Sequence, residues 1–380
     1  MIIGIDGNEA NIKKRVGVGR YAYELLRHIY KIQNPKSKIQ NNNVKLKIYL
    51  KDKPLADLPK EIDNWKYKVI GPRKLWTQFG LPLNLWWEKI TGKAPNVFFT
   101  PSHYAPRFCP CPRVISIMDL SYLHFPEMFR KQDLYQLKNW TAYSVRKAAK
   151  ILTISKASMD DIIRYYKVLP EKIVVAYPAL MTNIKYKINI KKIKEKYKIG
   201  GDYILSVSTI QPRKNYPRLI EAFSKLILDN QYKDLILVIV GKKGWMWEET
   251  VGAPKKFGVE DKVKFLDYVP DEDLPSLYKG AKCFVLVSLY EGFGIPALEA
   301  MSFGCPVVVS NISSLPEVVG DAGILVDPYN IGDITGGIKK AIKNKDKLIE
   351  KGYKQASKFS WEKTARKVLA VLEEVGGKNV

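Results

Sequence analysis

Short apolar runs alternate with helix-like stretches from one end of this chain to the other, and that alternation restricts the fold more than any other feature. In the first half the runs are Ile2–Ile5, Val44–Leu50, Tyr67–Ile70, Val97–Thr100, Val114–Met118, Lys150–Ile154 and Ile173–Ala176. In the second half they are Tyr203–Val207, Leu235–Val240, Val263–Leu266, Ala281–Val287, Pro306–Ser310 and Gly323–Val326. A continuous apolar run such as Ala281–Val287, rather than apolar and polar residues in turn, marks a strand covered on both faces, as parallel strands between helices are. Helices are expected at Arg20–Tyr30, Pro217–Leu228 and Asp271–Lys279, with a last one capped by Ser360, carrying Glu362 in its first turn and running to Glu374. At 380 residues the chain exceeds one ordinary core. The expected class is therefore α/β with two doubly wound parallel sheets: residues 1–178, a linker at 179–201 with a short basic helix, residues 202–358, and a C-terminal helix at 359–380.

Composition narrows the function less than the fold. The formal charge is +25, and residues 1–178 hold 31 of the 63 Lys and Arg but only 14 of the 38 Asp and Glu. Such an excess points to an anionic partner, whether nucleic acid, an acidic membrane surface or a phosphorylated substrate, and a lysine-rich proteome would produce it equally. Leu75-Trp-Thr-Gln-Phe-Gly-Leu-Pro-Leu-Asn-Leu-Trp-Trp-Glu-Lys89 is dense in aromatics and flanked by basic residues, so it suits either a membrane interface or a core; the core reading is favoured. No apolar run reaches bilayer-spanning length, and Met1-Ile-Ile-Gly-Ile5 leads directly into polar residues, so a cytoplasmic protein is expected, at most peripheral on the membrane face. Cys109 and Cys111 flank one proline with no second pair nearby, which favours an incidental loop pair over a metal or redox site.

Three places could carry chemistry. The first is Ser288-Leu-Tyr-Glu-Gly-Phe-Gly-Ile-Pro-Ala-Leu-Glu-Ala-Met-Ser302. Gly292 and Gly294 allow a sharp turn after a strand, and Pro296 suits a first helical turn, so free backbone N–H groups would face a phosphate. Glu291 before the turn and Glu299 inside the helix could accept hydrogen bonds from sugar and ribose hydroxyls; a helix-start acid and a solvated helix residue would leave the same pattern. The second place is Arg15-Val-Gly-Val-Gly-Arg20, a glycine loop between strand and helix, readable as a phosphate turn or as a flexible connection. The third comprises the strand ends Pro101–Pro106 and Asp119–Glu127, where His103, Asp119 and His124 could converge or merely cap turns.

Ser208-Thr-Ile-Gln-Pro-Arg-Lys-Asn215, Val269-Pro-Asp-Glu-Asp-Leu274, Glu291-Gly-Phe-Gly-Ile-Pro-Ala-Leu-Glu299, Ser314-Leu-Pro-Glu-Val-Val-Gly-Asp-Ala-Gly323 and Phe359-Ser-Trp361 together resemble the family 4 retaining glycosyltransferases. Arg213-Lys-Asn215 and Asp119–Glu127 are similar to the mannosyltransferase-like bacterial members. The resemblance implies a GT-B fold, two Rossmann-like domains facing a central cleft with the C-terminal helix packing back on the first. It implies transfer of a hexose, with mannose from GDP-mannose favoured, to a saccharide or lipid-linked acceptor. Glu299 would bind ribose and Glu291 face the donor sugar. N–H groups of Phe293, Gly294 and Ile295 would hold sugar and diphosphate, and Lys214, helped by Arg213, would neutralise the departing diphosphate. Gly17 and Gly19 would approach the diphosphate or acceptor, and Tyr268 and Val269 the base. Asp119 would contact donor sugar or acceptor, and His124 could supply a base where relatives often carry His at the position of Met118. His103 would face the acceptor. Ser208-Thr209 stand where many members carry Gly-Arg.

The resemblance implies that no metal and no cofactor are needed, which fits the lack of an Asp-X-Asp cluster at a strand end; Asp271 and Asp273 read instead as a helix start. The partners implied are a nucleotide-sugar donor, the acceptor and, through the positive charge, an anionic membrane surface. The rival readings are a sugar-nucleotide epimerase of the same fold and a non-catalytic protein binding anionic polymers. Against the latter, neither zinc-ligand spacing nor an RNA-recognition signature occurs, so no nucleic acid is expected.

Overall fold

The computed structural model describes residues 1–34, 44–180 and 187–378. The chain forms two compact units, Met1–Pro178 with Ser360–Val380, and Ala179–Phe359. Each is built on one all-parallel sheet, which is the expected class.

In the first unit the strands are β1 (Ile2–Asp6), β2 (Lys45–Leu50), β3 (Trp65–Val69), β4 (Val97–Thr100), β5 (Arg113–Ile117), β6 (Lys150–Thr153) and β7 (Ile173–Val175). Their spatial order is β3-β2-β1-β4-β5-β6-β7. The helices are α1 (Val18–Gln33), α2 (Leu81–Ile90), the short α3 (Ser121–His124), α4 (Lys131–Lys147), α5 (Lys156–Tyr166) and, from the chain's end, α14 (Trp361–Gly377). In the second unit the strands are β8 (Tyr203–Val207), β9 (Ile236–Val240), β10 (Val263–Phe265), β11 (Cys283–Leu286), β12 (Val307–Ser310) and β13 (Gly323–Val326), in the order β10-β9-β8-β11-β12-β13. Helices α6 (Ile190–Lys196), α7 (Tyr216–Leu226), α8 (Glu248–Lys256), α9 (Leu274–Gly280), α10 (Ile295–Ser302), α11 (Leu315–Val319), α12 (Ile331–Lys343) and α13 (Lys345–Ala356) cover it. Central strands are buried along their length, as β4, β11 and β12 are at every residue, so the unbroken apolar runs have the physical cause inferred for them. In both sheets the order runs outward from the first strand and then reverses. The reversal opens a crevice at the carboxyl ends of β1 and β4 in one unit, and of β8 and β11 in the other.

Four local expectations change. Residues 187–201, read as linker, belong to the second unit: Ile193 and Ile199 are buried, and the Asn189 amide donates to Ser276 Oγ at 3.0 Å. Residues 181–186 of that stretch lie outside the described residues. Asp273 sits at the N-terminus of α9 without capping it, because its carboxylate takes Lys196 Nζ at 2.5 Å and the Tyr197 hydroxyl at 2.6 Å, tying α6 to α9. Ser360 occupies the N-cap position of α14 without a side-chain cap bond, and Glu362 pairs with Arg366. The aromatic segment expected as core is only half so. Trp76, Leu81 and Leu85 are buried, while Leu75, Phe79, Leu83, Trp86, Trp87 and Ile90 are exposed, because α2 lays one narrow face on the sheet and that face is soon filled.

Helix α14 closes the first unit by burying Trp361, Ala365, Val368, Leu369, Val371, Leu372 and Val375. Trp361 stacks on His28 and tilts against Tyr21 of α1, with centroids 6.3 and 5.6 Å away. Leu372 is fully buried, so Leu372→Ala is expected to destabilise this unit by about 2–5 kcal/mol, measured by urea unfolding.

Candidate active site

In the second unit the strand-end loops after β8 and β11 meet at the reversal of strand order. After β8 the chain makes a short 3-10 turn, Pro212–Lys214, and Asn215 takes a left-handed conformation. Asn215 is buried, and its Nδ2 donates to Val287 O at 3.0 Å and Pro328 O at 2.7 Å, which pins this loop beside β11. The Leu289 amide in turn donates to Arg213 O at 2.8 Å. These backbone ties bring Lys214 onto Glu291: Nζ lies 2.5 Å from Oε1, with both side chains about nine-tenths buried.

Glu291 is held from every side. Ser288 Oγ donates to Oε1 at 2.7 Å, and Arg213 Nη1 lies 3.6 Å from Oε2 while donating to Tyr290 O. The Glu291 amide donates to Ser313 Oγ, and Ser313 and Ser314 return hydroxyl bonds to its carbonyl at 2.5 and 2.8 Å. Burial alone would raise this carboxyl; the Lys214 ammonium and the Arg213 guanidinium outweigh it and hold the group below the ordinary carboxylate range.

Just beyond, Gly294 opens α10 at φ 101°, where a Cβ would come within 2.6 Å of Leu315 Cδ2, so both the left-handed turn and the close packing exclude a side chain. Phe293 is buried, and Phe359 meets its ring edge-on at 5.4 Å, which gives the Phe-Ser-Trp segment a direct bearing on this turn. The N-terminal amides of α10, at Ile295 and its neighbours, carry the positive end of the helix dipole. Glu299, one turn inside, is half-buried and accepts from the Tyr278 hydroxyl at 2.9 Å. Val269 is buried and Tyr268 exposed beyond β10, with Lys242 Nζ 4.8 Å from the Tyr268 ring centre.

The first unit collects its candidates at the corresponding edge. Gly17 is the N-cap residue of α1, and Gly19 packs within that helix's first turn, where a Cβ would sit 3.0 Å from Glu9 O. His103 follows β4, and burial lowers its imidazole pKa, a tendency that the nearby Asp119 carboxylate only partly opposes. Asp119 follows β5 and accepts from the Ser121 amide at 2.9 Å. His124 sits at the end of α3, with Nε2 2.9 Å from Asp161 Oδ2 and Nδ1 3.5 Å from the Tyr165 hydroxyl, so its contacts run to α5.

Several residues escaped the sequence reading. Ser288, Ser313 and Ser314 were not singled out, because short polar residues near strand ends are too common to signal anything. Asp6 ends β1 at the other crevice, and burial pushes its carboxyl up to about 6 against bonds from Asn8. An acid directly after an apolar strand was the available signal.

Two parallel-sheet units with a cationic pair, a carboxylate and a helix N-terminus gathered at one strand reversal suit an anionic, hydroxyl-rich ligand. Comparison with known proteins is consistent with that chemistry. Residues 189–359 match the family described as Glycosyl transferases group 1. The O-antigen chain mannosyltransferase B of Escherichia coli is 30% identical over 95% of this chain and 93% of its own. The mannosylfructose-phosphate synthase of Agrobacterium fabrum is 27% identical over 73% of this chain and 69% of its own. Among solved structures, sucrose-phosphate synthase from Thermosynechococcus elongatus superposes with a TM-score of 0.72 at 16% identity, covering 99% of both chains. HepE of Anabaena, solved with UDP and glucose, gives 0.68 at 19% identity, covering 98% of this chain and 99% of that one. The fold is thus GT-B, and the chain belongs to the group 1 glycosyltransferases.

The Lys214–Glu291 pair makes its own prediction. Lys214→Met leaves a buried carboxylate without its principal counter-charge and should cost about 3–5 kcal/mol, part of which Lys214→Met/Glu291→Gln should recover in a double-mutant cycle. Because the folded carboxyl lies below its ordinary 4.5, its stabilising contribution is complete above that value and disappears as pH falls through the folded pKa. Denaturation midpoints of wild type and Glu291→Gln should therefore converge in acid.

Proposed function

We propose that the second unit binds a nucleotide diphosphate sugar, and that the enzyme transfers the hexose with retention of anomeric configuration to a saccharide or lipid-linked hydroxyl. The observation that carries this reading is the convergence of Lys214, Arg213 and Glu291 beside the N-terminus of α10. A diphosphate arriving there meets an ammonium, a guanidinium and aligned backbone N–H groups without needing a metal ion. Lys214, shared between phosphate and Glu291, compensates the charge that grows as the sugar–phosphate bond breaks. Glu291 then faces the sugar, while Glu299 accepts from ribose hydroxyls. Phe293, Gly294 and Ile295 supply amides, and Tyr268 and Val269 border the base. The departing phosphate takes the acceptor proton on the same face, so no protein nucleophile is required. In the first unit Gly17, Gly19, His103, Asp119 and His124 are assigned to the acceptor.

The mannosyltransferase name of the Escherichia coli relative favours mannose as the sugar, and GDP-mannose is the donor proposed to carry it. The excess of positive charge in residues 1–178 fits an acceptor carried on a lipid at an anionic membrane face.

Thermal-shift titration with GDP-mannose, UDP-glucose and UDP-N-acetylglucosamine should single out GDP-mannose, and proton NMR of the product should give the donor's anomeric configuration. Glu299→Ala is expected to weaken nucleotide binding by at least about tenfold, since a charged hydrogen bond is lost; unchanged affinity by calorimetry would remove the ribose role. Lys214→Ala should depress kcat more than donor affinity, and equal activity would exclude it from the leaving-group step.

A further inference from the structure

Helix α2 is oriented against the usual rule for an amphipathic helix. Leu83, Trp86, Trp87 and Ile90 recur at the spacing of one helical face, and such a face is normally the buried one. Here these residues are 68, 45, 56 and 82% exposed, while Leu81, Leu85 and Glu88 occupy the inner face. The helix cannot roll over, because Glu88 anchors it. Its carboxylate takes Lys47 Nζ at 2.9 Å and Lys68 Nζ at 2.6 Å on one oxygen, and the Tyr49 hydroxyl at 2.5 Å on the other. Trp86 is also fixed outward, its indole N–H donating to Phe108 O at 2.6 Å.

The surroundings extend this apolar face. Leu75, Phe79 and Phe108 are exposed beside it, and Phe79, Leu83, Trp86 and Phe108 line one wall of an open groove of about 510 Å³ whose other wall includes Tyr135 and Trp140 of α4. The flanking sequence is mostly basic, with Arg73 paired to Asp52 and Lys68 to Glu88. Between Lys66 and Lys93 the only acid is Glu88, which is turned inward, whereas Lys66, Lys68, Arg73, Lys74, Lys89 and Lys93 are all basic. Two of these lie against the aromatic face: Lys89 Nζ is 5.3 Å from the Trp86 ring centre and Lys68 Nζ 5.6 Å from that of Trp87. Apolar tips, indoles and a cationic border on a rigid helix match the layered chemistry of an anionic bilayer surface, hydrocarbon below and phosphate at the rim. The groove also carries Gln78, Arg107 and Tyr143, whereas the outermost tips of α2, Leu83 and Ile90, are aliphatic and offer no partner to a sugar hydroxyl.

We propose that the outer face of α2, with Leu75, Phe79 and Phe108, docks the protein in the plane of an anionic membrane, the groove seating one lipid chain of that leaflet. This deepens the reading of a lipid-linked acceptor, but binding is measured without turnover, so the two fail separately. The full chain is mixed with vesicles of pure phosphatidylcholine and of phosphatidylcholine with one-quarter phosphatidylglycerol, with and without brominated acyl chains. Co-sedimentation is expected only with the anionic vesicles and should weaken as salt rises, and brominated chains should quench tryptophan fluorescence. Leu83→Ser/Trp87→Ser/Ile90→Ser should reduce vesicle binding by at least about tenfold, and Lys74→Glu/Lys93→Glu should remove the preference for anionic lipid, both with circular dichroism and nucleotide affinity unchanged. Absence of vesicle binding, binding indifferent to both variants, self-association abolished by the triple variant, or quenching by soluble oligosaccharide instead of vesicles would each overturn the proposal.

Discussion

Lys214 and Glu291 stand 77 positions apart in the chain, yet their contact is the one on which the second unit's site depends. It exists because β8 and β11 are neighbours in a sheet whose strand order reverses between them, so that two loops leave the same edge in the same direction. A buried carboxylate in that position would be costly alone. The lysine, the arginine and Ser288 make it tolerable, and in doing so they concentrate positive charge beside the N-terminus of α10. The contacts that make the buried carboxylate tolerable are therefore also those that set cationic groups beside a helix N-terminus.

The first unit repeats the topology with different contents. Its strand ends carry an acid with a raised pKa, Asp6, a histidine whose pKa burial lowers, His103, and a carboxylate, Asp119, rather than a cationic pair. Charge is displaced to the outer edge, where Glu88 draws two lysines and a tyrosine inward while Lys74, Lys89 and Lys93 flank α2. The same sheet thus offers polar chemistry at its carboxyl edge and an apolar, basic surface on one helix.

Much of the fold was legible because parallel strands buried on both faces must be written as continuous apolar runs, and each of the expected runs is a strand to within two residues at either end. The site was legible in part. The glycines of Glu291–Glu299 and the helix after them announce themselves by spacing, and the lysine after β8 only through the family motif that contains it. Ser313, Ser314 and Asn215 do not, since their roles arise only when distant loops are stacked together. The aromatic segment misled for a related reason: periodicity shows that a helix has an apolar face but not which way the face points.

By itself, then, the sequence determined the secondary elements, the parallel class and, through its family motifs, the candidate site residues, because the first two follow from local spacing and the last from residue identity along the motifs. Tertiary structure decided which of them meet. It paired Lys214 with Glu291, drew Asp273 away from capping a helix to hold α6, and turned Trp86 and Trp87 outward around the anchored Glu88. Each outcome rests on contacts between residues far apart in the chain, where the balance of burial against charge pairing is set by the sheet and not by neighbours in sequence.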